Sequence, residues 1–287
     1  MSLKDENLYF IGGVVRDEML GIPSLDTDYC YEGDAIEFAK QKGLNILREN
    51  PAFGTVRVLF EDKEIDIAST REEFYPQKGH LPVVSNIGCA LKDDLKRRDF
   101  TINAMAKRTT DGEVIDILGG IDDIKSKKLR VLHDKSFEDD PTRILRALKF
   151  SLRFGFTLDE STARFQKEYL KNINYDMSYH RLKKELVETF NLNSQEAYDR
   201  FTSEGIYKLL GKSVLLPEHH PDFRNLNYSS KHVWLIYLSF FNLDNLELTR
   251  AEKRIIEWAE RLKTEKQTNN TPIESIIINE IYKEAVS

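Results

Sequence analysis

A glycine pair at positions 12 and 13 closes the apolar run Leu8 to Ile11 and opens the helix-like segment Val14 to Leu20. Glycines let backbone N–H groups approach a phosphate closely, and a helix N-terminus adds favourable partial charge there. The next stretch, 25–31, reads as a strand, so Asp26 and Asp28 stand two residues apart on one face. Two such carboxylates can share a divalent ion whose shell is completed by phosphate oxygens, the usual arrangement for magnesium. The combination points to a phosphate cradle beside a metal site.

The 287 residues suffice for two domains, or for one domain with a helical extension. A hydrophobic content of 40% and a charged content of 31% are ordinary for a soluble globular protein. No apolar run approaches the ~20 residues that span a bilayer, and the polar Leu3-Lys4-Asp5-Glu6-Asn7 is no secretory core. The two cysteines, Cys30 and Cys89, match no zinc spacing, so a reduced, cytoplasmic setting is expected. A net charge of −6 argues against bulk electrostatic attraction to nucleic acid but leaves room for local basic patches.

An α+β organisation follows: a mixed α/β head over residues 1–137, then an all-helical part over 138–287. In the head, Thr55–Phe60 and Glu64–Ala68 read as a hairpin around a polar turn. The stretch 74–90, with two prolines and no period, reads as a long loop of the kind that often carries function. Asp94–Ala106 reads as a helix and Val114–Leu118 as a strand. Beyond Phe137, helices are expected at 140–154, 161–171, 180–192, 194–204, 233–243, 250–263 and 272–285.

Asp66 stands in a strand next to the Asp26–Asp28 stretch and is a candidate third carboxylate, with an inward, hydrogen-bonded aspartate as the other reading. Carboxylates that bridge two metals stabilise the attacking and leaving oxygens of an in-line phosphoryl displacement. Arg97, Arg98, Asp99 and Asn103 fit guanidinium contact to a triphosphate with Asp99 or Asn103 on ribose hydroxyls, or else a solvated helix face. Arg143, Arg146, Lys149 and Arg153 fall within an arc of about 120° on one helix. Asp140, just before Pro141, is a natural N-cap. His219, His220 and Asp222 superficially suggest a metal site, but their proline-rich setting reads as a surface loop.

Taken in order, Gly12-Gly13-x-x-Arg16-Asp17, Asp26-x-Asp28, Arg97-Arg98-Asp99-Phe100-Thr101-x-Asn103-Ala104 and Asp140-Pro141-x-Arg143-x-x-Arg146-Ala147 form a pattern. It resembles the class II tRNA nucleotidyltransferase (CCA-adding enzyme) and bacterial poly(A) polymerase family. Phe53-Gly54-Thr55, Asp66-Ile-Ala-Ser-Thr-Arg71 and Gly119-Gly120-Ile-Asp-Asp123 agree with it, and the likeness covers about residues 8–190.

The resemblance implies a polymerase-β-like nucleotidyltransferase head followed by a helical neck and body that hold RNA. It implies that Gly12, Gly13 and Arg16 contact the nucleotide triphosphate, and that Asp26 and Asp28 ligate Mg2+ and activate the RNA 3′-hydroxyl. Arg98, with Asp99 and Asn103 near the ribose, would also bind nucleotide. Asp140 and Arg143 would read the Watson–Crick edge of cytosine or adenine, and Arg146 would support the phosphates. Lys149 stands where many members carry arginine, which turns a bidentate contact into a point charge. The segment 74–90 would be a flexible loop that helps switch from C to A addition. The chain ends at 287, where members are usually longer, so a shortened body with little or no tail is expected.

The function expected is template-independent addition of C, A or both to the tRNA 3′ end from CTP and ATP with Mg2+. Alternatives are a CC-only enzyme, an A-only enzyme, a poly(A) polymerase, or a non-catalytic RNA-binding protein on the same scaffold. No membrane partner is expected, and oligomeric state is unreadable.

Overall fold

The structure, a computed structural model, describes residues 3–24 and 27–286. Asp26, the first expected metal aspartate, lies outside the described residues. The chain forms two units. The first holds residues up to Ser136 together with Phe156–Ala163, and the second holds Phe137–Gly155 and everything from Arg164 on. The return of Phe156–Ala163 to the first unit is a departure from the single division expected at 137.

The first unit runs β1 (Leu8–Ile11), α1 (Gly13–Leu20), β2 (Asp28–Tyr31), α2 (Ala35–Gln41), β3 (Asn45–Asn50), β4 (Thr55–Phe60) and β5 (Lys63–Ser69). It continues through β6 (Arg71–Phe74), β7 (Val83–Ile87), α3 (Leu91–Lys96), β8 (Ala106–Arg108), β9 (Val114–Ile115), α4 (Gly120–Lys125) and β10 (Lys128–Leu129). Then come α5 (Ser136–Asp139) and α6 (Thr142–Phe154), followed by β11 (Thr157–Leu158), which pairs parallel to β10.

Seven strands form one sheet in the order β3-β4-β5-β2-β1-β8-β9. Only β2 and β5 run parallel within it, so the sheet is mixed. Alternation along the strands sorts the side chains between two faces. Leu8, Tyr29, Val56, Val58 and Ile67 pack with Ile36 and Phe38 of α2. Tyr9, Ile11 and Cys30 point the other way, onto Leu91 and Leu95 of α3. Asp28, two residues before Cys30, belongs to this second face, beyond the reach of its apolar cover.

Two expectations for the head are corrected. The segment expected to be helical from Asp94 to Ala106 leaves the helix at Lys96, and Thr101–Asn103 is only a 3-10 turn. Every residue from Asp99 to Ala106 is buried, which no one-sided helix stripe can achieve. The segment is held instead by Thr101 N–H donating to the Arg130 carbonyl and by the Phe100–Val131 bridge. Gly120 lets α4 close on this segment, since a Cβ there would lie 2.4 Å from the Thr101 carbonyl oxygen. The stretch expected to be a loop from 74 to 90 is a loop over 75–82, but Phe74 ends β6 and Val83–Ile87 form β7, which pairs antiparallel with it. Phe74, Leu81 and Val83 are exposed on it.

A charge cluster ties that hairpin to α3. The Asp94 carboxylate is fully buried and takes Arg97 at 2.7 Å and Arg98 at 2.9 Å on its two oxygens, plus the Arg71 backbone N–H at 3.1 Å. Glu73 meets Arg71 at 2.7 Å and Arg97 at 3.1 Å. Burial alone would raise the Asp94 carboxyl, but the guanidiniums of Arg98 and Arg97 outweigh it and hold the group below its ordinary value.

The second unit is helical after α6. It comprises α7 (Glu160–Tyr169, whose first turn lies in the first unit), α8 (Tyr179–Phe190), α9 (Gln195–Ser203), α10 (Val233–Leu238), α11 (Arg250–Arg261) and α12 (Ile273–Val286). Phe137, Phe190, Tyr198, Phe201, Trp234 and Tyr237 are its largest fully buried side chains. A capping box at Thr249 and Glu252 starts α11. Among the described residues no helix is long and apolar enough to cross a membrane.

The Asp94 cluster makes a pH prediction. Between its lowered folded pKa and the ordinary carboxyl value, the unfolded chain binds the extra proton, so stability rises with pH there. The contribution should be complete above about pH 5 and fade as pH falls below about 4. Asp94→Asn should flatten that acid limb in denaturant titrations. It should also cost about 3 kcal/mol at neutral pH, because it strands buried guanidinium charge.

Candidate active site

The Gly12 turn is built under tight constraint. Gly12 has φ of 70°, and a Cβ there would sit 3.1 Å from an Arg98 guanidinium nitrogen. Its N–H donates to the Met105 carbonyl, and its own carbonyl accepts from Arg16 N–H to begin α1. Gly13 carries no such demand, since its nearest neighbour would be an ordinary 3.5 Å away.

Arg16 does not project towards solvent. Its guanidinium is buried and donates to Asp17 Oδ1 at 2.6 and 2.8 Å and to Asn103 Oδ1 at 2.5 Å. Asn103 in turn donates to Asp99 Oδ1 at 3.0 Å, and the same oxygen accepts the Phe100 N–H at 2.8 Å. Three residues expected at the nucleotide (Arg16, Asp99 and Asn103) therefore form one buried chain that fixes the start of α1 against the 99–103 segment.

On the open face of the sheet, Asp28 and Asp66 are register partners across the parallel β2–β5 pair. Their Cα atoms thus stand side by side, and both side chains leave from one face. Asp66 is exposed rather than inward, and Arg57 of β4 grips it bidentately at 2.8 and 2.7 Å. A cleft of about 470 Å³ here is lined by Asp28, Asp66, Arg48, Arg57, Arg71 and Arg98, among others. Arg98 belongs both to this cleft and to the Asp94 cluster, which sets its direction.

Paired carboxylate oxygens suit a hard divalent ion, and cationic walls suit phosphates. Asp28 and Asp66 fit such an ion by donor type and placement. No group of three or more His, Cys, Asp or Glu placed to hold a metal occurs among the described residues. His220 instead meets Asp199 at 3.1 Å and Asp222 meets Arg224, so the histidine-rich loop gathers no metal set.

In the second unit, Asp140 is buried at the start of α6. One of its oxygens accepts the Thr142 N–H at 3.1 Å and the Thr142 hydroxyl at 2.6 Å, and the other accepts Arg181 of α8. Asp140, expected as the N-cap, stands one place before it: Pro141 holds that position, and the Asp140 carboxylate instead bonds Thr142, the first residue of α6. Arg143 is buried one turn on.

Lys149, expected as a nucleotide contact, is buried and meets Glu185 at 2.7 Å and Glu188 at 2.5 Å, both on α8. Arg146 reaches the other Glu185 oxygen at 3.3 Å. The expected cationic stripe is therefore partly neutralised by α8, and Lys149 ties two helices together. Arg57 and Arg181 were not singled out from sequence as individual site residues. Arg57 alternates with the core residues Val56 and Val58, and that outward position in the strand next to Asp66 was the available signal.

Comparison with known proteins agrees with these features. Residues 8–130 match the family described as the Poly A polymerase head domain. An A-adding tRNA nucleotidyltransferase of Aquifex aeolicus is 45% identical over 167 residues, which are 56% of this chain and 20% of that protein. The chain thus spans about a fifth of that curated relative's length. A CCA-adding enzyme solved in an apo form superposes with a TM-score of 0.77 at 28% identity, covering 97% of this chain and 78% of that one. A Thermotoga maritima CCA-adding enzyme complexed with tRNA gives 0.71 at 27% identity, covering 97% and 77%. The glycine turn and the carboxylates on the open sheet face both lie within residues 8–130, the stretch that matches the Poly A polymerase head domain.

Proposed function

We propose that this protein is a cytoplasmic, template-independent nucleotidyltransferase that adds C, A or both to the 3′ end of tRNA from CTP and ATP. The observation that carries the reading is the placement of Asp28 and Asp66 side by side in one arginine-lined cleft behind the Gly12 turn. The family match and the tRNA-bound relative support it.

In this reading the terminal 3′-hydroxyl oxygen of the RNA bonds to the α-phosphorus of the nucleotide. The bond from that phosphorus to the bridging oxygen breaks, pyrophosphate leaves with its electron pair, and the hydroxyl proton passes to solvent. A divalent ion, magnesium, would be held by Asp28 with Asp26 and Asp66; when bound it favours the alkoxide and spreads charge on the phosphates. Arg98, aimed by Asp94, takes a phosphate oxygen. Gly13 offers its backbone N–H to the triphosphate, and Gly12, whose own N–H is held by the Met105 carbonyl, shapes the turn that presents it. Arg16, Asp99 and Asn103 hold that backbone in shape instead of reaching the nucleotide. Asp140 and Arg143 read the base edge, with Arg181 fixing the Asp140 carboxylate, and Arg146 supports the phosphates.

A gel assay tests the reading with three tRNA transcripts, ending at the discriminator base, at C and at CC, each offered CTP, ATP or both. Completion of CCA on all three marks the full enzyme. Arrest after CC marks a CC-adding enzyme, and extension of the CC-ended transcript alone marks an A-adding one. Long adenosine ladders mark a poly(A) polymerase, and no incorporation marks a binding protein. A-only addition is the second reading, favoured by the 45% match to an A-adding enzyme.

Asp28→Ala should lower incorporation by at least about a hundredfold while RNA binding persists, since the charge clamp on the reacting oxygens is lost. Equal turnover in that variant would remove the metal assignment. Asp140→Ala should raise misincorporation of U and G, read by offering UTP and GTP alone to the active wild type and the variant. Unchanged selectivity would assign Asp140 to the start of α6 only.

A further inference from the structure

The carboxylate beside Asp28 is already in use. Asp66 presents both oxygens to Arg57 in a forked contact at 2.8 and 2.7 Å, and Glu64 lies 3.6 Å from the same guanidinium. Arg57 and Asp66 are direct cross-strand partners of β4 and β5, while Asp28 faces Asp66 from the other side on β2. Asp66 thus sits between a permanent cation and the position where an ion would be shared.

Both side chains are about half exposed, at 49% and 52%. A pair that open to water shifts an equilibrium by no more than about fivefold, so it is readily exchanged. A guanidinium also accepts a phosphate in the same forked geometry as a carboxylate, so arriving phosphates compete for the same donor face.

We propose that Arg57 is an exchangeable counter-ion of Asp66. It holds the carboxylate until a nucleotide's phosphates take over the guanidinium, and the released Asp66 then turns to the divalent ion beside Asp28. Arg57 is accordingly a positioning residue that makes metal capture depend on phosphate arrival. The inference rests on the nucleotidyltransferase reading for the identity of the phosphates, but its test needs neither RNA nor turnover.

The experiment is Mn2+ titration of the nucleotide-free protein, followed by electron paramagnetic resonance of the unbound ion. It compares the wild type, Arg57→Met, Arg57→Met with Asp66→Asn, and Arg48→Met. Arg57→Met should bind Mn2+ about three- to fivefold more tightly than wild type, the reach of an exposed pair. That gain should vanish in the double variant and be absent or smaller in Arg48→Met, which removes a cation from the same cleft without freeing Asp66. An unchanged Arg57→Met, a gain surviving Asp66→Asn, or an equal gain in Arg48→Met would overturn the proposal. Equilibrium dialysis of CTP in EDTA should show weaker binding to Arg57→Met; equal binding would overturn the phosphate half. Circular dichroism melts confirm folding, which a half-exposed strand position should not disturb. If the gel assay finds no incorporation but the Mn2+ pattern holds, the enzyme reading fails and the counter-ion exchange stands.

Discussion

The head depends on a carboxylate that has no contact with solvent. Asp94 shows no exposed side-chain surface, yet it remains charged because two guanidiniums and a backbone N–H occupy its oxygens. A lone carboxylate so placed would be protonated or expelled; shared between Arg97 and Arg98 it becomes a fixed point to which several elements are tied. The same contact ends α3, anchors the foot of the β6–β7 hairpin through Arg71 and Glu73, and turns Arg98 towards the sheet face. Gly12 is the complement of this arrangement, since the Arg98 guanidinium lies where any side chain at that turn would go.

The second unit solves a related problem with charges on helices. Lys149 is buried in α6, where an isolated ammonium would be costly, and two glutamates of α8 surround it. Burial tends to raise the Glu188 carboxyl, but the hydrogen bond from Lys149 together with the charges of Lys149, Lys184 and Arg146 outweighs it and holds the group below its ordinary value. Together with the Asp140–Arg181 contact, these pairs set α6 and α8 in register along their length. Arg143 is thereby carried on a helix, with Asp140 just before its start, whose rotation is fixed by ion pairs as well as by apolar packing.

Much of this was legible in the sequence where pattern and chemistry coincide. The strand, glycine turn and helix at the N-terminus follow from an apolar run meeting Gly12, and the alternation of Ile65, Asp66 and Ile67 placed Asp66 on a strand. The amphipathic helices of the second unit were readable from spacing alone, within a few residues at their ends. What escaped depends on partners distant in sequence. The contact from Arg16 to Asn103, 87 residues away, leaves no mark in the local sequence. Asp99 to Ala106 reads as helical because its composition permits a helix, whereas total burial against α4 and Arg130 dictates otherwise. Pro76, Gly79, Pro82 and Gly88 disguised a hairpin whose second strand, Val83–Ile87, lies between the last two of them. Lys149 resembled a surface cation because the glutamates that enclose it lie on another helix.

The return of Phe156–Ala163 to the first unit means that the boundary is crossed more than once by one chain. Leu129 pairs with Leu158, Arg130 meets Asp159 at 2.8 Å, and the Thr162 hydroxyl accepts the Val131 N–H. A fragment cut after residue 137 would look like a whole head on paper and yet lack the strand, the carboxylate and the hydroxyl that finish it. Separating the first unit from the second by dissection would therefore require splicing rather than truncation.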